Sequence, residues 1–153
     1  RNQNLVRGEL KSDCAPLHRL CAALRQLGSG LRVLRDPTRG GVATTLCEFV
    51  EGTALSILLE EADIPVRPAV ASACDILGLD PLYCANEGKL LAVVAPERAE
   101  EALALLRGLP EGENAAVIGT VGEQWPGRVA VRTALGGTRI AAKLAGAQLP
   151  RIC

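Results

Sequence analysis

Apolar positions recur at three- and four-residue steps in some stretches of the chain and form short unbroken runs in others. Leu17, Leu20, Cys21, Leu24 and Leu27 follow Pro16 with helical spacing, and Gly28 supplies a stop. Leu31–Leu34 reads as a short strand. A second helix is expected to start at Asp36-Pro37-Thr38, turn Val42, Leu46, Phe49 and Val50 inward, and close near Gly52. Leu55–Leu59 is a compact apolar run of the kind found in buried strands. Val66–Leu77 is helical by the spacing of Val70, Cys74 and Leu77, with Gly78 at its end. Leu90–Ala95 reads as another buried strand. Pro96–Leu109 gives the clearest helix, with proline in the first turn, acidic residues early, and Ala99, Leu103 and Leu106 inward. Val117–Val121, Val129–Thr133 and Arg139–Ala142 suggest three closing strands, with turns at Pro126-Gly127 and Gly136-Gly137. Strands alternate with helices early and cluster late, so the expected class is α+β or mixed α/β, a sheet covered by helices.

Length and composition narrow the function. At 153 residues the chain suits one domain with a real core, and 48% hydrophobic residues argue against wholesale disorder. Seventeen basic residues balance seventeen acidic ones, and Phe49, Tyr83 and Trp125 are the only aromatics. A single-strand-binding surface needs stacking aromatics beside cations, so nucleic acid is a poor candidate partner. The longest purely apolar run, Leu90–Ala95, falls far short of the roughly 20 residues a membrane helix needs. No signal-like segment opens the chain. Methionine is absent and the first residue is Arg1, so the chain is expected to be a piece of a longer protein. Residues 1–13 then read as a linker remnant, 14–144 as an α/β domain, and 145–153 as a flexible tail.

Six cysteines stand at positions 14, 21, 47, 74, 84 and 153, none at the two-residue gap of zinc or redox pairs. With His18 as the one histidine, a metal cage has little to build from, and no metal ligands are assigned. Mostly reduced thiols in a cytoplasm are expected. Cys14, Cys21, Cys47, Cys74 and Cys84 receive no role, because free cysteine commonly acts as a small hydrophobe. His18 is expected at the surface and Trp125 as a turn anchor.

Three groups of residues could carry chemistry. In Arg35-Asp36-Pro37-Thr38-Arg39-Gly40-Gly41, Asp36 or Thr38 can cap a helix, and Pro37 presets its first turn. Two glycines flanked by arginines suit close approach to an anion at the helix N-terminus, each weakening the helix by about 1 kcal/mol. An ordinary cap with glycines that relieve crowding explains the same residues. In Asn86-Glu87-Gly88-Lys89, ahead of a buried strand, a partly desolvated Glu87 could act as a general base. A solvated turn is the plainer explanation. Cys153 ends the chain with a nucleophilic thiol that Arg151 favours as thiolate and the α-carboxylate disfavours. Seven extended residues after Gly146 reach roughly 23 Å, enough for a carrier arm. A frayed terminus with an incidental cysteine is equally compatible.

Arg35–Leu46, Leu79-Asp80-Pro81-Leu82-Tyr83 with Ala85–Lys89, and the closing Pro150-Arg151-Ile152-Cys153 together closely resemble the HypE family of hydrogenase maturation proteins. The likeness runs over nearly the whole chain, as a C-terminal domain. The first motif is similar, more loosely, to aminoimidazole ribonucleotide synthetase, selenophosphate synthetase and thiamine monophosphate kinase, and the terminal Pro-Arg-Ile-Cys is what points to HypE. The resemblance implies a carbamoyl group received on Cys153 from HypF and dehydrated with ATP to a thiocyanate. The cyano group would pass to iron on HypC–HypD, as a cyanide ligand of a [NiFe]-hydrogenase. Glu87 would be the base, and Asp36, Thr38, Arg39, Gly40 and Gly41 would face the nucleotide. ATP with Mg2+ would be bound mainly by an N-terminal domain absent from this sequence, which would also form a homodimer. The fragment alone is then expected to be inactive. A small-metabolite phosphotransferase domain and a non-catalytic thiol carrier or docking module are the alternatives.

Overall fold

A computed structural model of the chain describes residues 11–144. Among the described residues, six strands and four α-helices follow the order α1 (His18–Arg25), β1 (Leu31–Arg35), α2 (Gly41–Val50), β2 (Ser56–Glu60), α3 (Pro68–Leu77), β3 (Leu91–Val94), α4 (Ala99–Arg107), β4 (Gly119–Gly122), β5 (Val129–Arg132) and β6 (Thr138–Ala141). Short 3-10 turns join several of them, including Pro81–Tyr83 and Pro96–Arg98.

The expected mixed α/β class holds, with the strands divided between two sheets. β1 and β3 form an antiparallel ribbon, with Arg35 opposite Leu91 and Leu31 opposite Val94. Helices α1 and α4 pack together beside it. Leu24, Leu27 and Ala102 form a buried cluster there, with Leu31, Leu34, Ala92 and Val94 packed against it. The second sheet has the order β4-β2-β5-β6. β2 runs antiparallel to β4 and parallel to β5, and β5 runs antiparallel to β6. Helix α2 joins the larger core, where Val42, Leu46 and Val50 meet Ile57, Leu59, Val129 and Val131. Val129, Ala130 and Val131 are wholly buried because β5 has a strand on either side.

The periodicity located each of these helices and strands, but it misplaced some faces and ends. Leu20 and Leu24 in α1 and Leu27 just after it are buried, and His18 lies at the surface as expected. In α4 the buried residue is Ala102, with Leu105 and Leu106 packed beside it; of the expected inward residues Ala99, Leu103 and Leu106, only Leu106 joins this cluster. The first turn at Pro96–Arg98 is 3-10 rather than α, which shifts the phase of the helix that follows. In α3, Cys74 is buried while Leu77 is 68% exposed.

The largest correction concerns α2, which starts at Gly41 and not at Asp36-Pro37-Thr38. Gly40 occupies the cap position at φ 72° and no side chain caps the helix, so neither Asp36 nor Thr38 does so. Gly40 and Gly41 both have positive φ, which inserts a left-handed step before the first helical turn. A local cap-and-proline signal contains no information about that step.

Candidate functional site

The loop before α2 and the turn before β3 meet at Gly41. A Cβ on Gly41 would lie 2.5 Å from the carbonyl oxygen of Leu82 and 2.6 Å from that of Cys84, so only glycine permits the approach. Gly41 thus relieves crowding against the protein's own Pro81–Tyr83 turn, which is the alternative explanation of this motif. Gly40 makes room in the same way for the side chain of Thr44. The backbone N–H of Asn86 donates to the Pro37 carbonyl at 3.1 Å. These contacts bring Thr38, half-buried, and Asp36 and Arg39, both exposed, beside the turn that carries Glu87.

That turn is fixed by residues on three sides. Asp80 accepts from the Leu82 N–H at 2.9 Å through Oδ1 and from Arg139 at 2.9 Å through Oδ2. The Tyr83 hydroxyl accepts from the Ala142 N–H at 3.1 Å, so the end of β6 lies against the same turn. Lys143, one residue further, pairs with Glu51 at 3.1 Å and Glu48 at 3.8 Å; Glu48 in turn pairs with Arg35. Cys153 lies outside the described residues, which end at position 144.

Asp13 is the site residue that the sequence reading missed, because it was assigned to a linker. Its Oδ2 accepts from Lys89 at 3.1 Å and from Asn86 at 3.3 Å, and its backbone lies so close to Gly88 that a Cβ there would collide with it. Burial works against the Asp13 carboxylate, but Lys89, with help from Asn86, more than offsets it and holds the group below its usual range. The segment around Asp13 thus straps the Asn86–Lys89 turn from outside. No local pattern marks a contact made 73 and 76 residues away.

Glu87 is exposed and has no side-chain partner among the described residues, so the expected partial desolvation is not supplied by them. Thr44 Oγ1 is buried without a hydrogen-bond partner, next to Gly40 at the start of α2. An unpaired hydroxyl beside the N–H groups of the first helical turn fits an incoming acceptor such as a phosphate oxygen. A cleft of about 280 Å³ adjoins the first motif at Arg35 and Asp36, its other walls being Leu17, Cys21, Leu34 and Leu90. Pockets that enclose a ligand the size of a nucleotide usually measure roughly 300–1,000 Å³. This surface is one wall of such a site at most. Among the described residues no cluster of three or more His, Cys, Asp or Glu could hold a metal ion, and no helix is long and apolar enough to cross a membrane.

Residues 1–132 match the family described as AIR synthase related protein, C-terminal domain. The chain belongs to that family. Among curated relatives, this AIR synthase related chain is 52% identical over 145 residues to carbamoyl dehydratase HypE of Cupriavidus necator, covering 95% of the chain and 41% of the relative. It therefore spans about two fifths of that protein's length. A crystal structure of HypE in complex with ATP superposes with a TM-score of 0.84 at 49% identity, covering 93% of this chain and 44% of the other. A HypE–HypF complex matches with a TM-score of 0.84 at 40% identity, covering 89% and 44%. The resemblance to HypE read from the motifs is borne out, and the structure shares its fold.

Proposed function

We propose that this chain is the cysteine-bearing part of an ATP-dependent carbamoyl dehydratase that makes cyanide ligands for [NiFe]-hydrogenase maturation in the cytoplasm. The observation that carries this reading is the convergence at the Pro81–Tyr83 turn. The Thr38–Gly41 loop, the turn bearing Glu87 and the end of β6 all contact it or its immediate neighbours. Nine residues lie between Lys143 and Cys153, and the ten steps between them span at most about 36 Å. That reach includes the whole of this convergence.

Cys153 carries the carbon as a thiocarboxamide, R–S–C(=O)–NH2, after transfer of a carbamoyl group from HypF. The amide oxygen is a poor leaving group until it is phosphorylated, and bound ATP with Mg2+ supplies that phosphoryl group, mainly through a domain outside this sequence. The N–H groups opening α2, with Thr44 Oγ1, Thr38 and Arg39 nearby, favour the phosphate oxygens. Asp36 borders the adjoining cleft. One N–H proton leaves as the amide oxygen is phosphorylated, and Glu87 accepts the second as the C–O bond breaks, leaving phosphate and R–S–C≡N. Because Glu87 is exposed here, it gains its dry surroundings only when the remaining part of the enzyme covers it. The loaded thiol then swings outward and delivers the cyano group to iron held by HypC–HypD. The absent domain also forms the homodimer.

Replacing Cys153 by alanine in the full-length protein tests the assignment. All carbamoyl-dependent turnover should vanish while the fold is kept. Retained ATP-dependent phosphorylation of a small metabolite would instead identify a phosphotransferase.

A further inference from the structure

Two cysteines outside the proposed reaction face each other. Cys74 lies in the last turn of α3, and Cys84 follows the Pro81–Tyr83 turn; their sulfurs are 4.0 Å apart, both as free thiols. Cys74 is 5% exposed and Cys84 is half-buried, so one sulfur is shielded and its neighbour can be reached. Their apposition is built by the intervening chain. Gly78, at φ 66°, reverses the helix end: the Leu79 N–H donates to the Cys74 carbonyl at 2.9 Å and the Gly78 N–H to the Asp75 carbonyl at 3.3 Å. Asp80 then caps the next turn, and the Cys84 thiol rests 3.8 Å from the Asp80 carbonyl. Among the described residues no other pair of cysteine sulfurs is in contact; Cys47 instead donates to the Ala141 carbonyl at 3.5 Å.

We propose that Cys74 and Cys84 form a reversible dithiol–disulfide site that takes a low-molecular-weight disulfide as its oxidant. The Cys84 thiolate attacks one sulfur of the oxidant RS–SR, forming Cys84–S–SR and releasing RS⁻. The Cys74 thiolate then attacks Cys84 Sγ, closing the Cys74–Cys84 bond and releasing the second RS⁻. Two protons from the cysteines end on two RSH, and the two electrons lost by the pair reduce the oxidant. Closing the sulfurs from 4.0 Å to a bond of about 2.05 Å needs a shift of about 2 Å, within the compass of side-chain rotation at a half-exposed residue.

The chemistry of the pair sets its behaviour. Burial, then the neighbouring Cys74 and Asp80, push the Cys84 thiol up to about 11. Its thiolate fraction at neutral pH is therefore roughly a hundredfold below that of an ordinary thiol at about 9. Part of that loss is regained because a more basic thiolate is a stronger nucleophile, leaving attack about tenfold slower than at a free surface thiol. The reduced pair gains no stabilised thiolate, so the disulfide, once closed, resists reduction. It would clamp α3 to the turn whose Leu82 and Cys84 carbonyls wall Gly41.

The test incubates the folded protein in buffers of reduced and oxidised glutathione, quenches with acid and alkylates the remaining thiols. Peptides cut before Asp75 and Asp80 are then mapped by mass spectrometry. The expected product is a Cys74–Cys84 cross-link two hydrogens lighter than the dithiol, formed about tenfold more slowly than the mixed disulfide at exposed Cys14. Cys84→Ser, at a partly exposed position, should abolish the cross-link and leave Cys74 unmodified. Amide hydrogen exchange at Tyr83 and Cys84 should slow several-fold in the cross-linked form. Glutathione held on Cys84 without closure, cross-links to other cysteines, or unchanged exchange would each overturn the proposal. Every readout is thiol chemistry or exchange, so a failure of the dehydratase assignment leaves the result intact.

Discussion

Gly41 faces the carbonyl oxygen of Leu82 so closely that no Cβ could be accommodated between them. This contact joins two motifs separated by some forty residues and fixes the loop before α2 relative to the turn before β3. Replacing Gly41 by alanine adds a Cβ 2.5 Å from that oxygen and forces alanine to φ 64°. The expected loss is about 2–5 kcal/mol, the sum of backbone strain and overpacking. Gly52 supplies the control: it has φ 72° with open space around it, so Gly52→Ala should lose only the strain, about 1–2 kcal/mol. Urea unfolding of both variants measures the difference. Equal losses would mean that the Gly41–Leu82 contact contributes nothing.

Asp13 gives the fold a pH dependence. Its folded value lies below the unfolded one, so its contribution is present above the unfolded value near pH 4 and is lost as pH falls through the folded value. Asp13→Asn should lower stability at pH 7 by at most about 1 kcal/mol, since the Lys89 pair is partly exposed. The deficit should shrink as the pH falls from 5 to 2. Urea midpoints of the two proteins across that range provide the check, and a gap that widens in acid would contradict the role assigned to Lys89.

Much of this was legible in the sequence, and the omissions have definite causes. Hydrophobic periodicity located the helices and strands because burial repeats at 3.6 or 2 residues whatever the partner. It could not divide the strands between two sheets or insert β5 beside β2 in parallel, since pairing is a long-range choice. Glu87, Asp36, Thr38, Arg39, Gly40 and Gly41 were readable as motif members. Asp13 was not, because its partners Asn86 and Lys89 are far along the chain. Cys74 and Cys84 looked like unrelated hydrophobes, since their ten-residue gap becomes a contact only through the left-handed turn at Gly78.

Glu87 separates chemistry from stability. Its side chain is exposed and has no partner among the described residues, so Glu87→Gln should leave unfolding within about 0.5 kcal/mol of the parent. In the full-length enzyme the same change should slow dehydration about 10²–10⁴-fold while leaving carbamoyl loading of Cys153 unchanged. Single-turnover kinetics on preloaded protein measure this. Unimpaired dehydration would reduce the chain to a thiol carrier.

The cleft bounded by Asp36 and Leu90 measures only about 280 Å³, and ATP is proposed to bind mainly through a domain outside this sequence, so the 153-residue chain alone should hydrolyse no ATP. Phosphate release assays on the isolated chain, with the full-length protein as positive control, test that expectation. Robust turnover by the chain alone would place a complete nucleotide site within it.

The central claim is that Cys153 carries the carbon through both stages. The direct measurement is mass spectrometry of the C-terminal peptide from the full-length protein, first after incubation with a carbamoyl donor system and then after ATP is added. The account predicts one carbamoyl group on Cys153 in the first sample and loss of one water from that adduct in the second. An unmodified Cys153 throughout, while thiocyanate or cyanide is still produced, would contradict it.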